Sequence, residues 1–314
     1  MNLYDDFRPD VVALLKEQDG KLPPPNPSAL SGDGLGLPGR LASLLRLYAL
    51  GTLVKTGLHR RLIYASLRLD WFREFQEYWT AELGCRPINP HDFHFLAGVY
   101  RQRLQTIDFP QLQDPMRATD AKHLEAWRDH RMTHYLFHHT YRLALSPLQV
   151  HPFVRYIPRG GRVAEYGCGL APMATGLARY YRHLDLRIVC ADLPHLLFHC
   201  ARWKFRHYPF VTTVAIRPGD DAPLPGEFDT IFCLEVLEHL PRPIPVIQHF
   251  HRALRSGGYL VFDYIQSEAK GLDTASALRD RLPALEFVLD RFEVVSGTVL
   301  LDGTNVGATV VRKR

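Results

Sequence analysis

The sequence predicts an α/β fold, a mostly parallel sheet covered by helices on both faces and preceded by a helical region. Three observations carry this. From Arg162 onward, short β-rich runs alternate with helical stretches. The runs are apolar along their whole length, as strands buried on both faces must be. Gly and Pro punctuate the joins. In order, "RVAEY" is a strand, "MATGLARYYRHL" a helix, "LRIVCAD" a strand and "LPHLLFHCARWKFRHY" a helix. "VTTVAI" and "FDTIFCL" are strands, "IPVIQHFHRAL" a helix and "GYLVFDYIQ" a strand. The pattern then changes. "RFEVVSGTVLLDGTNVGATVVRKR" holds two strand-like runs separated only by the turn formers Asp302-Gly303 and Thr304-Asn305. That is a β-hairpin signal, so the sheet should finish with an antiparallel strand.

The first half lacks this alternation. "PPPNPSALSGDGLGLPG" (Pro23–Gly39) is a loop after a short N-terminal helix. "RLASLLRLYALGTLVKTGLHRRLIYASLRL", "WFREFQEYWTAEL" and "DAKHLEAWRDHRMTHYLFHHTYRLAL" read as helices. The boundary falls near Ser146-Pro147, giving a helical N-terminal domain over 1–145 and an α/β domain over 146–314. Between Arg40 and Leu69 stand six Lys/Arg and no acid. Such a helix packs on its neighbours with solvated arginines, or else makes peripheral contact with an anionic membrane surface. His130, His134 and His138 recur every four residues, too far along a helix (about 12 Å) to share one metal ion. With Trp127, Tyr135, Phe137 and Tyr141 around them, they suggest a face over a binding mouth.

Composition narrows the function. The 314 residues suffice for one large domain or two, and 46% hydrophobic with 23% charged is ordinary for a globular protein. The net charge of +5 divides almost evenly, about +2 before residue 150 and about +3 after it, which argues against a nucleic-acid surface. Five cysteines without a CxxC spacing argue against a zinc ribbon or disulfide framework and suit a reducing compartment. "MNLYDDFRPD" has acids where a signal peptide needs bases, and no run approaches the roughly 20 apolar residues of a membrane span. The chain reads as cytoplasmic.

At the centre, "VAEYGCGLAP" (Val163–Pro172) ends a strand in an acid and adds two glycines one residue apart. A P-loop would end in Gly-Lys-Ser/Thr, and none follows Gly169. The dinucleotide pattern G-x-G-x-x-G would need glycine where Pro172 stands, and it has no acid in the place of Glu165. That charge would repel a pyrophosphate and attract a cation. S-adenosylmethionine fits, its ammonium toward Glu165 and its methionine portion against the bare backbone of Gly167 and Gly169. Ligands of open α/β sheets bind at the carboxyl ends of the strands, where this loop falls. Asp192 ends "IVCAD" 27 residues after Glu165 and could accept from both ribose hydroxyls, or simply cap the next helix. "RPGDDAPLP" puts Asp220 or Asp221 where an acid could accept from the adenine amino group, or form a solvated turn.

Through "VAEYGCG", "CADL", "GDDAPLP", "FCLEVLEHLPRP" and "LRSGGYLVF", residues 150–314 resemble a class I S-adenosylmethionine-dependent methyltransferase of the ubiquinone-biosynthesis O-methyltransferase type. The resemblance implies a Rossmann-like seven-stranded sheet of order 3-2-1-4-5-7-6 with strand 7 antiparallel. It implies that Glu165, Gly167 and Gly169 bind the methionine portion, Asp192 the ribose, and Asp221 or its neighbour Asp220 the adenine. Cys168, Leu193 and Leu234 complete the implied cofactor lining. Ala171 replaces the family's frequent third glycine, a mild change. In such proteins the segment before the glycine loop often forms a lid. Trp127–Tyr141 is the candidate, with Trp127, Tyr135 and His138 facing the substrate. Residues 1 to about 130 are outside the resemblance.

"CLEVLEHLPRP" places Glu235, Glu238 and His239 after the fourth strand, beside the transferable methyl. His239 suits removal of a hydroxyl proton. Alternatively, Glu235 and Glu238 would share a helical face and, with His239, could hold a divalent metal, the less favoured reading. Glu-x-x-Glu-His also resembles the metal motif of ubiquinone O-methyltransferases and small-RNA 2′-O-methyltransferases. The further His of the RNA enzymes is missing from "FDYIQSEAKGLD". Capping of the turn is the bland reading. His195 and His199 read as packing or surface residues, and Tyr264 as near the substrate mouth. The expected function is methyl transfer to a small organic or lipid-like acceptor, with oxygen favoured over nitrogen or carbon. The alternatives are a noncatalytic cofactor-binding protein and a metal-assisted RNA 2′-O-methyltransferase.

Overall fold

The computed structural model describes residues 70–104, 120–140, 142–143, 146–265 and 273–314. The expected N-terminal helix, the Pro23–Gly39 loop, the basic stretch Arg40–Leu69 and Tyr141 lie outside them. The chain divides into two compact units, and the longer one runs from Tyr100 to the C-terminus.

That unit is built on seven strands: β1 (Arg162–Tyr166), β2 (Arg187–Asp192), β3 (Val211–Ala215), β4 (Phe228–Cys233), β5 (Leu254–Tyr264), β6 (Phe292–Ser296) and β7 (Val306–Lys313). They form one sheet of order β3-β2-β1-β4-β5-β7-β6. The pairings β1 with β2 and β4, β2 with β3, and β4 with β5 are parallel. β7 pairs antiparallel with both β5 and β6, so the hairpin read from the sequence closes the sheet.

The continuous apolar runs follow from burial on both faces. Along a strand, successive side chains point to opposite faces. Ala164, Tyr166, Val189 and Ala191 therefore join one core, whereas Val163, Ile188 and Cys190 join the other. The first core is covered by Pro243–Ala253, through Ile247 and Phe250, and by Ala275–Arg291, through Leu285 and Val288. The second is covered by Pro172–Tyr180, through Leu177, and by Leu196–Phe205, through Phe198. The helix Ala275–Arg291 has no counterpart in the sequence reading. Pro283 stands inside it, and charged residues interrupt its apolar spacing.

Asp120–Arg128, Thr133–Thr140 and Ser146–Val150 precede the sheet. With Asp70–Glu77 and Pro90–Leu104 of the earlier chain, the described α-helices become α1 (Asp70–Glu77), α2 (Pro90–Leu104), α3 (Asp120–Arg128), α4 (Thr133–Thr140), α5 (Ser146–Val150), α6 (Pro172–Tyr180), α7 (Leu196–Phe205), α8 (Pro243–Ala253) and α9 (Ala275–Arg291). The single helix expected over "DAKHLEAWRDHRMTHYLFHHTYRLAL" is broken. Asp129 leaves the helical region (φ −57, ψ 133), and its side chain accepts from Arg131 N, starting the 3-10 turn His130–Met132. His130, His134 and His138 are thus not on one helix. Residues 120–143 belong to the same compact unit as the sheet. Their helices meet it locally, for instance where Arg128 Nε donates to Pro194 O at 2.9 Å.

In the other unit, α1 runs into the π-type turn Tyr78–Glu82, together covering the expected "WFREFQEYWTAEL" helix. Trp71 and Phe75 set their rings against Phe93 of α2 at 5.3 and 4.8 Å.

α5 and α6 approach closely at Gly176. A Cβ added there would lie 2.7 Å from Ser146 O and 2.9 Å from Val150 Cγ1. Gly176→Ala should therefore forfeit the ~1 kcal/mol that Ala gives a helix interior and cost about 1–3 kcal/mol by overlap. Urea unfolding should show a lower midpoint; an unchanged or higher one would contradict this packing.

Candidate active site

A cavity of about 770 Å³ opens at the carboxyl ends of the strands. Its floor is the loop after β1, which is tied to the end of β2. Gly167 N and Cys168 N both donate to Ala191 O, at 2.8 and 3.3 Å. Gly169 N donates to Asp192 Oδ2 at 2.5 Å. Gly167 has φ +64, and a Cβ there would lie 2.4 Å from Val236 Cγ2. Glycine is needed at this position by the backbone and by close approach of the loop after β4. Ala171 takes φ 55, ψ 62, so the missing third glycine is not a mild change. A non-glycine residue in the left-handed region costs roughly 1–2 kcal/mol.

Glu165 is placed otherwise than expected. It is buried and is not in the cavity wall. Its two oxygens accept from Met173 N (3.1 Å) and Ala174 N (2.8 Å) in the first turn of α6. The carboxylate therefore meets the positive end of a helix, satisfying donors that have no partner within it. Burial, against these two bonds, pushes its carboxyl up to about 7.

Asp192 does line the cavity. Besides Gly169, its carboxylate meets Leu193 N at 2.7 Å and His195 Nε2 at 3.2 Å, both on Oδ1. Leu193, Leu234, Asp220 and Asp221 line the cavity as well. Asp221 pairs with Arg242 at 3.0 Å, whereas Asp220 accepts from Ala222 N at 3.0 Å within its own turn.

Further lining comes from α3, α4 and the loop after β4. Trp127, Tyr135, His138, His139 and Arg142 line the cavity there. Burial first, then His138 and Arg142, lowers the His139 imidazole to about 3. Trp127 stacks on His195 (5.4 Å, 25°) and meets His239 edge-on (6.0 Å, 66°).

Glu235, Glu238 and His239 separate. Glu235, in the wall, is left-handed at φ 58, outside the 3-10 turn Leu237–His239, so it does not share a face with Glu238. Its N–H donates to Asp263 Oδ1 at 2.7 Å. Burial drives the Asp263 carboxyl up to about 7. Glu238 is buried away from the cavity, and burial pushes it up to about 9. No group of three His, Cys, Asp or Glu side chains among the described residues is arranged to hold a metal ion. The candidate metal set Glu235, Glu238 and His239 is thereby corrected.

His239 remains in the cavity wall. Its Nδ1 is 3.5 Å from Oδ1 of the wholly buried Asp273, and its Nε2 3.8 Å from Glu238 Oε1. Thr274 N donates to Glu238 O (3.0 Å) and Thr274 Oγ1 to Leu240 O (2.7 Å), pinning residues 273–274 beside this turn. Tyr264 is corrected as well. It lies in the core with its hydroxyl donating to Ala277 O at 2.6 Å, not at a mouth. Sequence reasoning also passed over Asp263, near the carboxyl end of β5, and set His195 aside. Asp273, 34 residues from His239, carries no local signal.

Residues 129–295 match a family described as "Methyltransferase domain". The Ubiquinone biosynthesis O-methyltransferase of Xanthomonas campestris pv. campestris (strain B100) is 30% identical over 120 residues, 37% of this chain and 48% of that one. That of Paracidovorax citrulli (strain AAC00-1) is 31% identical over 129 residues, 40% and 48%. The chain thus spans about half the length of the curated relatives it matches. A methyltransferase structure from Pyrococcus furiosus aligns at a TM-score of 0.38 and 16% identity, covering 53% of this chain and 82% of that one. With the family match extending over more than half its length, the chain belongs to the methyltransferase-domain family.

Proposed function

We propose that this chain transfers a methyl group from S-adenosylmethionine to an oxygen of a small organic or lipid-like acceptor. The observation that carries the reading is one cavity lined by both the Asp192 carboxylate and the His239 imidazole, with Trp127 stacked on His195, the partner of Asp192, and edge-on to His239.

The residues present fit the cofactor. A volume of about 770 Å³ is within the range of small-molecule sites. Asp192 accepts from the ribose, with Leu193 and Leu234 against the flat nucleoside. Asp220 accepts from the adenine amino group, and its neighbour Asp221 is held aside by Arg242. Arg142, in the wall, offers a cation to the methionine carboxylate, a role that no motif in the sequence marked. When bound, the cofactor supplies an electrophilic methyl on a positive sulfur. His239 accepts the proton of the attacking hydroxyl, and the buried Asp273 carboxylate beside its Nδ1 favours the imidazolium that results. Trp127, Tyr135 and Leu240 bound the space that the acceptor would fill and keep water from it. An apolar, aromatic wall of this kind suits an organic ring or lipid-like body.

Three outcomes test this. His239→Ala should lower S-adenosylhomocysteine production with a small-molecule extract by at least about a hundredfold, with calorimetric binding of S-adenosylhomocysteine retained; near-normal turnover would remove His239 from the role. Asp192→Asn should weaken that binding by roughly tenfold or more, since a hydrogen bond to a charged group is lost. Glu238→Gln should leave turnover within a few-fold, because the carboxyl is held protonated near pH 7. A complete loss there, with activity of the unaltered protein abolished by EDTA and restored by a divalent metal, would favour the metal-assisted reading instead.

A further inference from the structure

We propose that His195 is a positioning residue, which aims the Asp192 carboxylate at the cofactor ribose and props Trp127 in the acceptor wall. The inference rests on the ribose role of Asp192 given above.

His195 ends the loop after β2 and stands at the N-cap of α7, with φ −124 and ψ 177. Phe198 N donates to its Nδ1 at 3.4 Å. A nitrogen that accepts carries no hydrogen, so the ring hydrogen lies on Nε2. Nε2 is 3.2 Å from Asp192 Oδ1. The helix cap thereby selects the tautomer that can donate to the carboxylate. Second-partner control of this kind is how a ring's orientation is commonly set.

The side chains of His195 and Asp192 are only 4% and 10% exposed, so water competes little for this bond. Asp192 Oδ1 receives Leu193 N as well, while Oδ2 receives Gly169 N. Held at both oxygens, the carboxylate presents its remaining acceptor position in one direction. The other face of the imidazole lies under Trp127, 5.4 Å between centroids at 25°. One residue on, Arg128 Nε donates to Pro194 O at 2.9 Å. α3 is thus attached to the ribose loop by a stack and a hydrogen bond at adjacent positions. Trp127 also meets His239 edge-on, which links the ribose carboxylate to the proton acceptor through two ring contacts.

His195→Asn separates this role from folding. Asn caps a helix well, so α7 keeps its first turn, but it presents no ring to Trp127 and is too short to reach Asp192. Calorimetry would compare S-adenosylhomocysteine with its 2′-deoxy and 3′-deoxy analogues on the unaltered protein, His195→Asn, His195→Ala and Asp192→Ala. The unaltered protein should prefer the full ribose over at least one analogue. In His195→Asn, affinity for S-adenosylhomocysteine should fall about tenfold and that preference should shrink toward the Asp192→Ala value, with a smaller drop in Tm than His195→Ala shows because the cap is kept. His195→Ala should repeat the binding loss and lower Tm as well. Tryptophan emission should respond to S-adenosylhomocysteine in the unaltered protein, and this response should vanish in both Trp127→Phe and His195→Asn. A His195→Asn protein with undiminished ribose preference, or an emission response independent of Trp127, would overturn the proposal while leaving the Asp192 reading intact. Absence of S-adenosylhomocysteine binding to the unaltered protein would remove both.

Discussion

The end of β2 is the constraint on which the site depends. Ala191 O takes the N–H groups of Gly167 and Cys168, and the Asp192 carboxylate takes Gly169 N, Leu193 N and the His195 ring. Two adjacent residues thus anchor the loop after β1, start the loop after β2 and set the direction of a buried carboxylate. Parallel neighbours make this possible, because their carboxyl ends lie at the same edge of the sheet. The floor of the cavity is shared by two strands.

Opposite this anchor, Glu165 closes the glycine loop from behind. Its carboxylate caps α6 by bonds to Met173 and Ala174, and Lys204 Nζ reaches Leu170 O and Thr175 Oγ1 beside it. The cluster holds Ala171 in a left-handed conformation that its methyl group disfavours. After β4, Glu235 is held in the same region by Asp263. Non-glycine strain of this kind persists where surrounding bonds over-determine the backbone; Glu235 lines the cavity, and Ala171 stands between Leu170 and Pro172, which do. The loops are held by hydrogen bonds within the chain.

Much of the cavity was legible. Gly167, Gly169, Asp192, Asp220 and Asp221 follow strands that the apolar runs identify, and the rule that ligands gather at carboxyl ends does the rest. Trp127, Tyr135 and His138 were reachable because aromatic and imidazole groups cluster ahead of the glycine loop. The errors have particular causes. An acid before a glycine loop has the same letters whether it faces a ligand or a helix N-terminus, and Glu165 faces the helix. Glu235 and Glu238 share a face only if the turn is helical throughout, which the left-handed Glu235 prevents. Tyr264 follows the alternation of β5 into the core, and its register is set by pairing with Val306.

The chain by itself determined the strands, the parallel sheet with its antiparallel finish, and the carboxyl-end position of the site, because these depend on apolar periodicity and on turn formers a few residues apart; it did not determine the helix Ala275–Arg291 or the break at Asp129. Only the tertiary structure decided which carboxylates face the cavity and which are occupied by backbone donors. It alone brought Asp273 to His239, His195 between Asp192 and Trp127, and Asp263 to Glu235. The physical reason is distance along the chain: a hydrogen bond or ring contact between residues 28, 34 or 68 positions apart depends on strand order and helix packing, which no local pattern of letters records.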